Sequence, residues 1–434
     1  MDSAGGKRVD LRMERLSTPR GADGGLALDL NETVLALSDA LDLVGVDVVQ
    51  HGKRVAFVAD ATARVLGLSA DDASDLFLAS VLHDCGVSST RVAGKLLGEV
   101  DWESSNDHCL QGAELLGSFP PFSRLARIVL HHHTHWDAGA ASRPPDGERL
   151  LANLVFLADR VDAFAQKTAG RDVLLARTEI RQAIGALAGS FFAPQLVEAF
   201  LTASESEAFW LTLEPRHLER WLLDRVATAV PRPAPADSLR SLAGIFARIV
   251  DAKSRFTAEH SEGVARLARL LGTLAGLPKE TCARMEVAGL LHDLGKLRIR
   301  DEVLEKPSGL DEGEFAQIER HTFETYQILR RIGPLADVAQ WAAYHHEALS
   351  GRGYPFHRKG DEIPLPARLV AVADVFQALA QNRPYRAPLS PSEILHHLQG
   401  MVVRGKLDPG AVELVAGNLF DCWEAATRAP RAPA

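Results

Sequence analysis

Four cysteines, Cys85, Cys109, Cys282 and Cys422, are scattered over 434 residues with no CxxC pair. They form no disulfide framework, which fits a reducing cytoplasm. No apolar run reaches the roughly 18 residues that a membrane span needs, and the N-terminus has no apolar h-region. Neither a membrane partner nor secretion is expected. Positive charge is also short: 48 Lys and Arg stand against 57 Asp and Glu, a net charge of -9. That argues against a nucleic-acid polymer as partner but not against a small anionic ligand, because a site can be locally positive. Alternating, β-branched strand runs are scarce.

What is present is ordinary globular composition, 46% hydrophobic and 24% charged, with a mean hydropathy near zero. The length is too great for one ordinary core, so two domains are expected. Helical patterns dominate, as in "HSEGVARLARLLGTLAGL", where Val264, Leu267, Ala268 and Leu271 recur at helical spacing. The expected fold class is all-α. Residues 1–28 read as a flexible leader, and "PRPAPAD" at 231–237 reads as a linker, because its prolines stop a helix and favour an extended spacer.

The portions on either side of that linker repeat each other. "LASVLHDCG" (78–86) matches "VAGLLHDLG" (287–295), and "NLVFLADRVDAF" (153–164) matches "RLVAVADVFQAL" (368–379). His51 and His260 are 209 apart, as are His83 and His292; His108 and His321 are 213 apart, as are His132 and His345; Asp159 and Asp374 are 215 apart. Such coherent offsets indicate a tandem duplication of one helical domain. The expected division is 29–201, a 202–237 helical connector with the linker, 238–425, and a short tail at 426–434.

In the second copy the candidate ligands are His260, His292, Asp293, His321, His345, His346 and Asp374. His292 and Asp293 follow the apolar run "VAGLL", so they should lie on a buried helix. A buried, unpaired carboxylate is costly, and a metal ion removes that cost. Adjacent helical residues point about 100° apart. The pair therefore suits two metals, or one metal and a supporting contact, better than one chelate. Asp293 could bridge two ions. Histidine and carboxylate donors suit iron, manganese or another divalent transition metal.

The order H…HD…H…HH…D, with "HDLGK" at 292–296, "HHEALSGRGYP" at 345–355 and "ADVFQALAQNRPYR" at 373–386, resembles the HD-GYP subgroup of HD-domain phosphohydrolases. The resemblance covers about 238–425. It implies two tandem HD-domain helical bundles and a metal centre that hydrolyses cyclic di-GMP to the linear dinucleotide pGpG or to GMP. It implies that His260, His292, Asp293 and Asp374 hold one ion, and that Asp293 bridges to a second held by His321, His345 and His346. Three-metal members carry Glu where this chain has Phe256, so two divalent ions, iron or manganese, are expected. A hydroxide bridging them would attack phosphorus. Asp293 and Lys296 are thus the expected catalytic residues. Lys296, Arg383 and Arg386 are the expected phosphate contacts, and Gly353, Tyr354 and Pro355 would border the substrate. Gln377 stands where family members often have an Asp that can contact guanine, which leaves the mixed-base cyclic GMP-AMP open as substrate.

The first copy keeps seven candidate ligands, His51, His83, Asp84, His108, His132, His133 and Asp159, and so a possible second centre. It has Val87 for the lysine, Gly139-Ala140-Ala141 for GYP, and Thr168 opposite Arg383. It reads as a divergent HD domain that binds metal and acts on something else, or serves as a regulatory or dimerisation module. His396 and His397 read as a solvated helix face after an "SPSE" cap. Trp210 and Trp221 read as packing between domains. Two classes remain open: a cyclic-dinucleotide phosphodiesterase, and a receptor or scaffold that reports occupancy to a signalling partner. A phosphohydrolase for another nucleotide ester is a third reading.

Overall fold

The computed structural model describes residues 29–44, 50–90, 92–93, 106–139, 145–167, 172–233, 238–253, 260–306, 308–382 and 387–428. The expected leader, Phe256, Arg383 and Arg386 lie outside the described residues. The protein is all-α, as expected: among the described residues, helices are joined by turns, and extended pairing is limited to isolated bridges such as Asp29 with Pro233. No helix there is long and apolar enough to cross a membrane.

The duplication is visible element by element. The helices Leu30–Leu41, His51–Leu66, Ala70–Leu82, Asp107–Gly117, Ser123–Leu130 and Asp146–Lys167 recur in order. Their counterparts are Ser238–Lys253, His260–Leu274, Lys279–Leu291, Glu312–Leu329, Ala336–Ala343 and Leu365–Ala380. In each copy the second of these helices packs against the third and the last. Alanine and glycine permit the closest crossings: a methyl on Gly289 would stand 2.7 Å from the Ala265 Cα, so those two backbones nearly touch.

Sequence signals for helix ends are realised where they matter. Ser390 and Glu393 form a reciprocal capping box at the start of Pro391–Val403. Asp311 and Glu314 do the same for Glu312–Leu329, the helix that carries His321. The connector differs from expectation. Trp221 lies edge-on to Phe57 at 5.2 Å, and Trp210 packs on Phe200 and Phe209. Both tryptophans therefore complete the core of the first copy rather than a seam between copies. The seam is partly polar instead: Asp301 accepts from Ser89 at 2.7 Å, and Lys253 donates to the Ser88 carbonyl at 3.3 Å.

Candidate metal centres

Five imidazoles and two carboxylates of the second copy converge from five separate helical segments. His260 opens one helix, His292 and Asp293 end another, His321 lies inside a third, His345 and His346 form a short 3-10 turn, and Asp374 lies within Leu365–Ala380. Three rings are fixed by their own backbone. His292 donates from Nδ1 to the Gly289 carbonyl at 2.7 Å, His321 to Ile318 at 2.5 Å, and His345 to Ala342 at 2.6 Å. Each Nδ1 proton is thereby committed to a carbonyl, and each Nε2 faces inward.

The two oxygens of Asp293 face different partners. Oδ2 lies 3.2 Å from His292 Nε2 and 3.9 Å from His260 Nε2, while Asp374 Oδ1 lies 3.3 Å from His260. Oδ1 lies 3.4 Å from His321 Nε2 and 3.9 Å from His345 Nε2. His260, His292 and Asp374 thus form one donor group, and His321, His345 and His346 form another. Lys296 Nζ is 2.5 Å from Asp293 Oδ2. All seven expected ligand residues are brought together.

The electrostatics favour a cation here. Burial opposes charge on His292, yet Asp293 and Asp374 outweigh it and carry its pKa up to about 10. Burial likewise opposes ionisation of Asp293, but His292 and Lys296 hold it well below the usual carboxylate range. Burial depresses His321 to about 3 and His346 to about 4, so both stay neutral donors. His292 Nε2 and Asp293 Oδ1 are buried without a hydrogen-bond partner. Orphaned donors of this chemistry, buried together, fit a metal ion.

The "HHEALSGRGYP" stretch closes one side. The buried Glu347 carboxylate accepts from the amides of Phe356 at 2.7 Å and Arg358 at 2.9 Å, folding the chain back. Gly353 passes so close to His346 that a methyl there would stand 2.4 Å from its carbonyl oxygen. The turn brings the Tyr354 ring to 5.0 Å from that of His346, with Pro355 next.

Gln377 is not placed at an open base-binding surface. It is buried, and its Oε1 accepts from His260 Nδ1. In the first copy Asp162 has this role toward His51, at 2.7 Å, and is itself held by Arg54. The signal was in the sequence, since both partners sit three residues after a ligand aspartate. Gln377→Leu is therefore expected to weaken metal binding about 10–100-fold, the usual cost of losing such a partner. Competitive chelator titration would measure it.

The first copy repeats the geometry. Asp84 Oδ2 lies 3.4 Å from His83, and Oδ1 lies 3.4 Å from His108 and 4.0 Å from His132. His51 is 3.3 Å from Asp159. Val87 is buried where the second copy has Lys296. Sequence reasoning overlooked Cys109, which joins His108, His132 and His133 in one group.

Both copies match a single family. The HD domain is found at residues 36–186 and again at 244–410. The chain belongs to the HD-domain family. HD-domain phosphohydrolases are metal-dependent, and both copies supply donor groups for metal. The chain is 35% identical to the 3′3′-cGAMP-specific phosphodiesterase 1 of Vibrio cholerae, over 90% of its own length and 92% of that protein. It is 37% identical to a cyclic di-GMP phosphodiesterase response regulator of Xanthomonas campestris, over 39% of its length and 45% of the relative. A crystal structure of a cyclic GMP-AMP-specific phosphodiesterase from V. cholerae has the same fold, with a TM-score of 0.63 and 25% identity over 93% of this chain and 99% of that one.

Proposed function

We propose that this HD-domain protein is a metal-dependent phosphodiesterase that opens a cyclic dinucleotide, with the second copy as its hydrolytic centre. The observation that carries the reading is Asp293, whose two oxygens face separate groups of three donors. His260, His292, Asp293 and Asp374 would hold one ion, and Asp293, His321, His345 and His346 the other, with iron or manganese suited to the donor set. When bound, such ions supply Lewis acidity toward phosphate oxygens and acidify the attacking water.

The chain's own residues do the rest. Asp293 and Asp374 remain ionised at neutral pH. Lys296, a quarter exposed beside Asp293, presents an ammonium to a phosphate oxygen. Gly353, Tyr354 and Pro355 form a wall for the substrate, and Arg383 and Arg386 supply further phosphate contacts. In the reaction a water oxygen bonds to phosphorus, and the 3′ oxygen leaves and takes a proton. The product is a linear dinucleotide with a 5′-phosphate; a second cut gives mononucleotides.

Cyclic GMP-AMP is the substrate we favour over the cyclic di-GMP that the GYP motif suggested. Relatives that align with nearly the whole chain carry cyclic GMP-AMP names, whereas the cyclic di-GMP regulator aligns with 39% of it. The test is to offer both dinucleotides to anaerobically purified protein loaded with iron or manganese and to resolve products by chromatography. Faster turnover of cyclic GMP-AMP is expected, and His83→Ala/Asp84→Ala should leave it largely intact. Full metal loading without turnover of either would favour the receptor reading. Loss of turnover in a folded first-copy variant would move catalysis to the first copy.

A further inference from the structure

The two centres differ at one donor. In the first copy Cys109 Sγ lies 3.6 Å from His108 Nε2 and 4.0 Å from His132 Nε2, and those two nitrogens are 3.3 Å apart. His133 completes the group, with all four donor atoms within 4.8 Å of one another. In the second copy the matching position, next to His321, is Thr322. Its hydroxyl donates back along its own helix to the Glu319 carbonyl at 3.0 Å and takes no part in the cluster.

These separations have a chemical meaning. Zinc binds nitrogen at about 2.0–2.1 Å and thiolate sulfur at about 2.3 Å. Around a tetrahedral ion that places nitrogens about 3.3 Å apart and nitrogen about 3.6 Å from sulfur. The His108–His132 and Cys109–His108 separations match those edges. Three further facts aim the donors inward. His132 commits its Nδ1 proton to the Val129 carbonyl at 2.6 Å, so its Nε2 offers a lone pair. His133 Nε2 is buried with no hydrogen-bond partner. Both His108 and His132 are buried, which keeps competing water away.

We propose that Cys109 is a metal ligand, so that the first copy holds a thiolate-containing site of three imidazoles and one sulfur that takes zinc. The second copy offers only imidazole and carboxylate and takes a harder ion. On binding, the Cys109 S–H proton passes to solvent and a sulfur–metal bond forms. One chain would then carry two chemically distinct centres, and exchanging metal at the second would leave the first filled. The proposal rests on the metal reading of the first copy but not on the substrate or on which copy hydrolyses it.

Cobalt(II) reports thiolate ligation directly through a near-ultraviolet sulfur-to-cobalt charge-transfer band. The full chain carrying Asp293→Ala confines bound cobalt to the first copy. The band is expected there and in the Cys85→Ala derivative, which removes the thiol that follows Asp84 in the chain, and should vanish in Cys109→Ser. A cobalt-loaded protein without the band, or a band that survives Cys109→Ser, would overturn the assignment. If Asp293→Ala binds no cobalt at all, the first copy holds no metal; that also defeats the proposal, while the second-copy reading stands. Should Cys109→Ser fail to fold, zinc K-edge absorption on the unmutated chain decides. A sulfur scatterer at about 2.3 Å supports the ligand, and a shell of nitrogen and oxygen alone refutes it.

Discussion

Asp293→Ala is expected to cost the second centre both of its ions and to lower turnover by on the order of 10³-fold or more, about 4 kcal/mol of transition-state stabilisation. The size follows from sharing. Every other candidate ligand serves one donor group, whereas this carboxylate faces both. Its removal also leaves Lys296 without the carboxylate it pairs with. Burial then acts on His292 with Asp374 alone opposing it, because Asp293 is the larger of the two carboxylate effects that raise its pKa. Five imidazoles and a lysine around the single remaining carboxylate of Asp374 bind a divalent cation poorly. Metal analysis of the purified protein, alongside turnover, checks the result. Metal content equal to the parent's, or turnover within tenfold of it, would show that Asp293 is not the shared ligand. His346→Ala makes a useful contrast, since it removes a donor from one group alone and should leave the other ion in place.

The order of the ligands was legible in the sequence because a duplication writes it twice. Seven polar positions recur at three closely spaced offsets, and each falls at a helix terminus or on a buried helix face. Helical periodicity then sufficed for the all-α class. What was hidden depends on contacts between segments far apart in the chain. Gln377 meets His260 across 117 positions, and only its place three residues after Asp374, matched by Asp162 after Asp159, hints at the contact. Trp221 finds Phe57 and Phe77 only because the connector folds back over the first copy. Cys109 was obscured differently. A single cysteine beside a histidine carries no spacing signal, and only the positions of His132 and His133 turn it into a donor. Two copies also give an internal standard for deciding which departures matter. Val87 in place of Lys296 removes a cation from the first site, and Cys109 in place of Thr322 adds sulfur to it, while the aspartate shared between donor groups is kept in both.

The same standard singles out a glycine. Gly295→Ala is expected to destabilise the protein by more than about 3 kcal/mol, at the upper end for forcing extra volume into a packed interior. A methyl there would stand 2.1 Å from the carbonyl oxygen of His321 and 2.9 Å from the Glu324 Cβ, with no flexible chain end to yield. Gly86 meets the carbonyl of His108 at the same 2.1 Å in the first copy. Both glycines lie two residues after the HD aspartate, so each lets the HD turn press against the helix that carries the third histidine. The Gly295 amide donates to Thr325 Oγ1 at 2.9 Å, and that hydroxyl in turn donates to the His292 carbonyl at 3.2 Å, pinning the turn in place. Pushing the two segments apart separates Asp293 from His321, so the stability loss should come with weakened metal binding on the His321 side. Gly417→Ala is the control: a methyl there meets nothing within 4 Å, and the change should stay within about 0.5 kcal/mol. Denaturant unfolding of both variants, with metal analysis of Gly295→Ala, tests the argument. Equal stability of the two would mean that the HD turn can move away from the His321 helix at no cost. In that case the spacing between donor groups is not held by this contact.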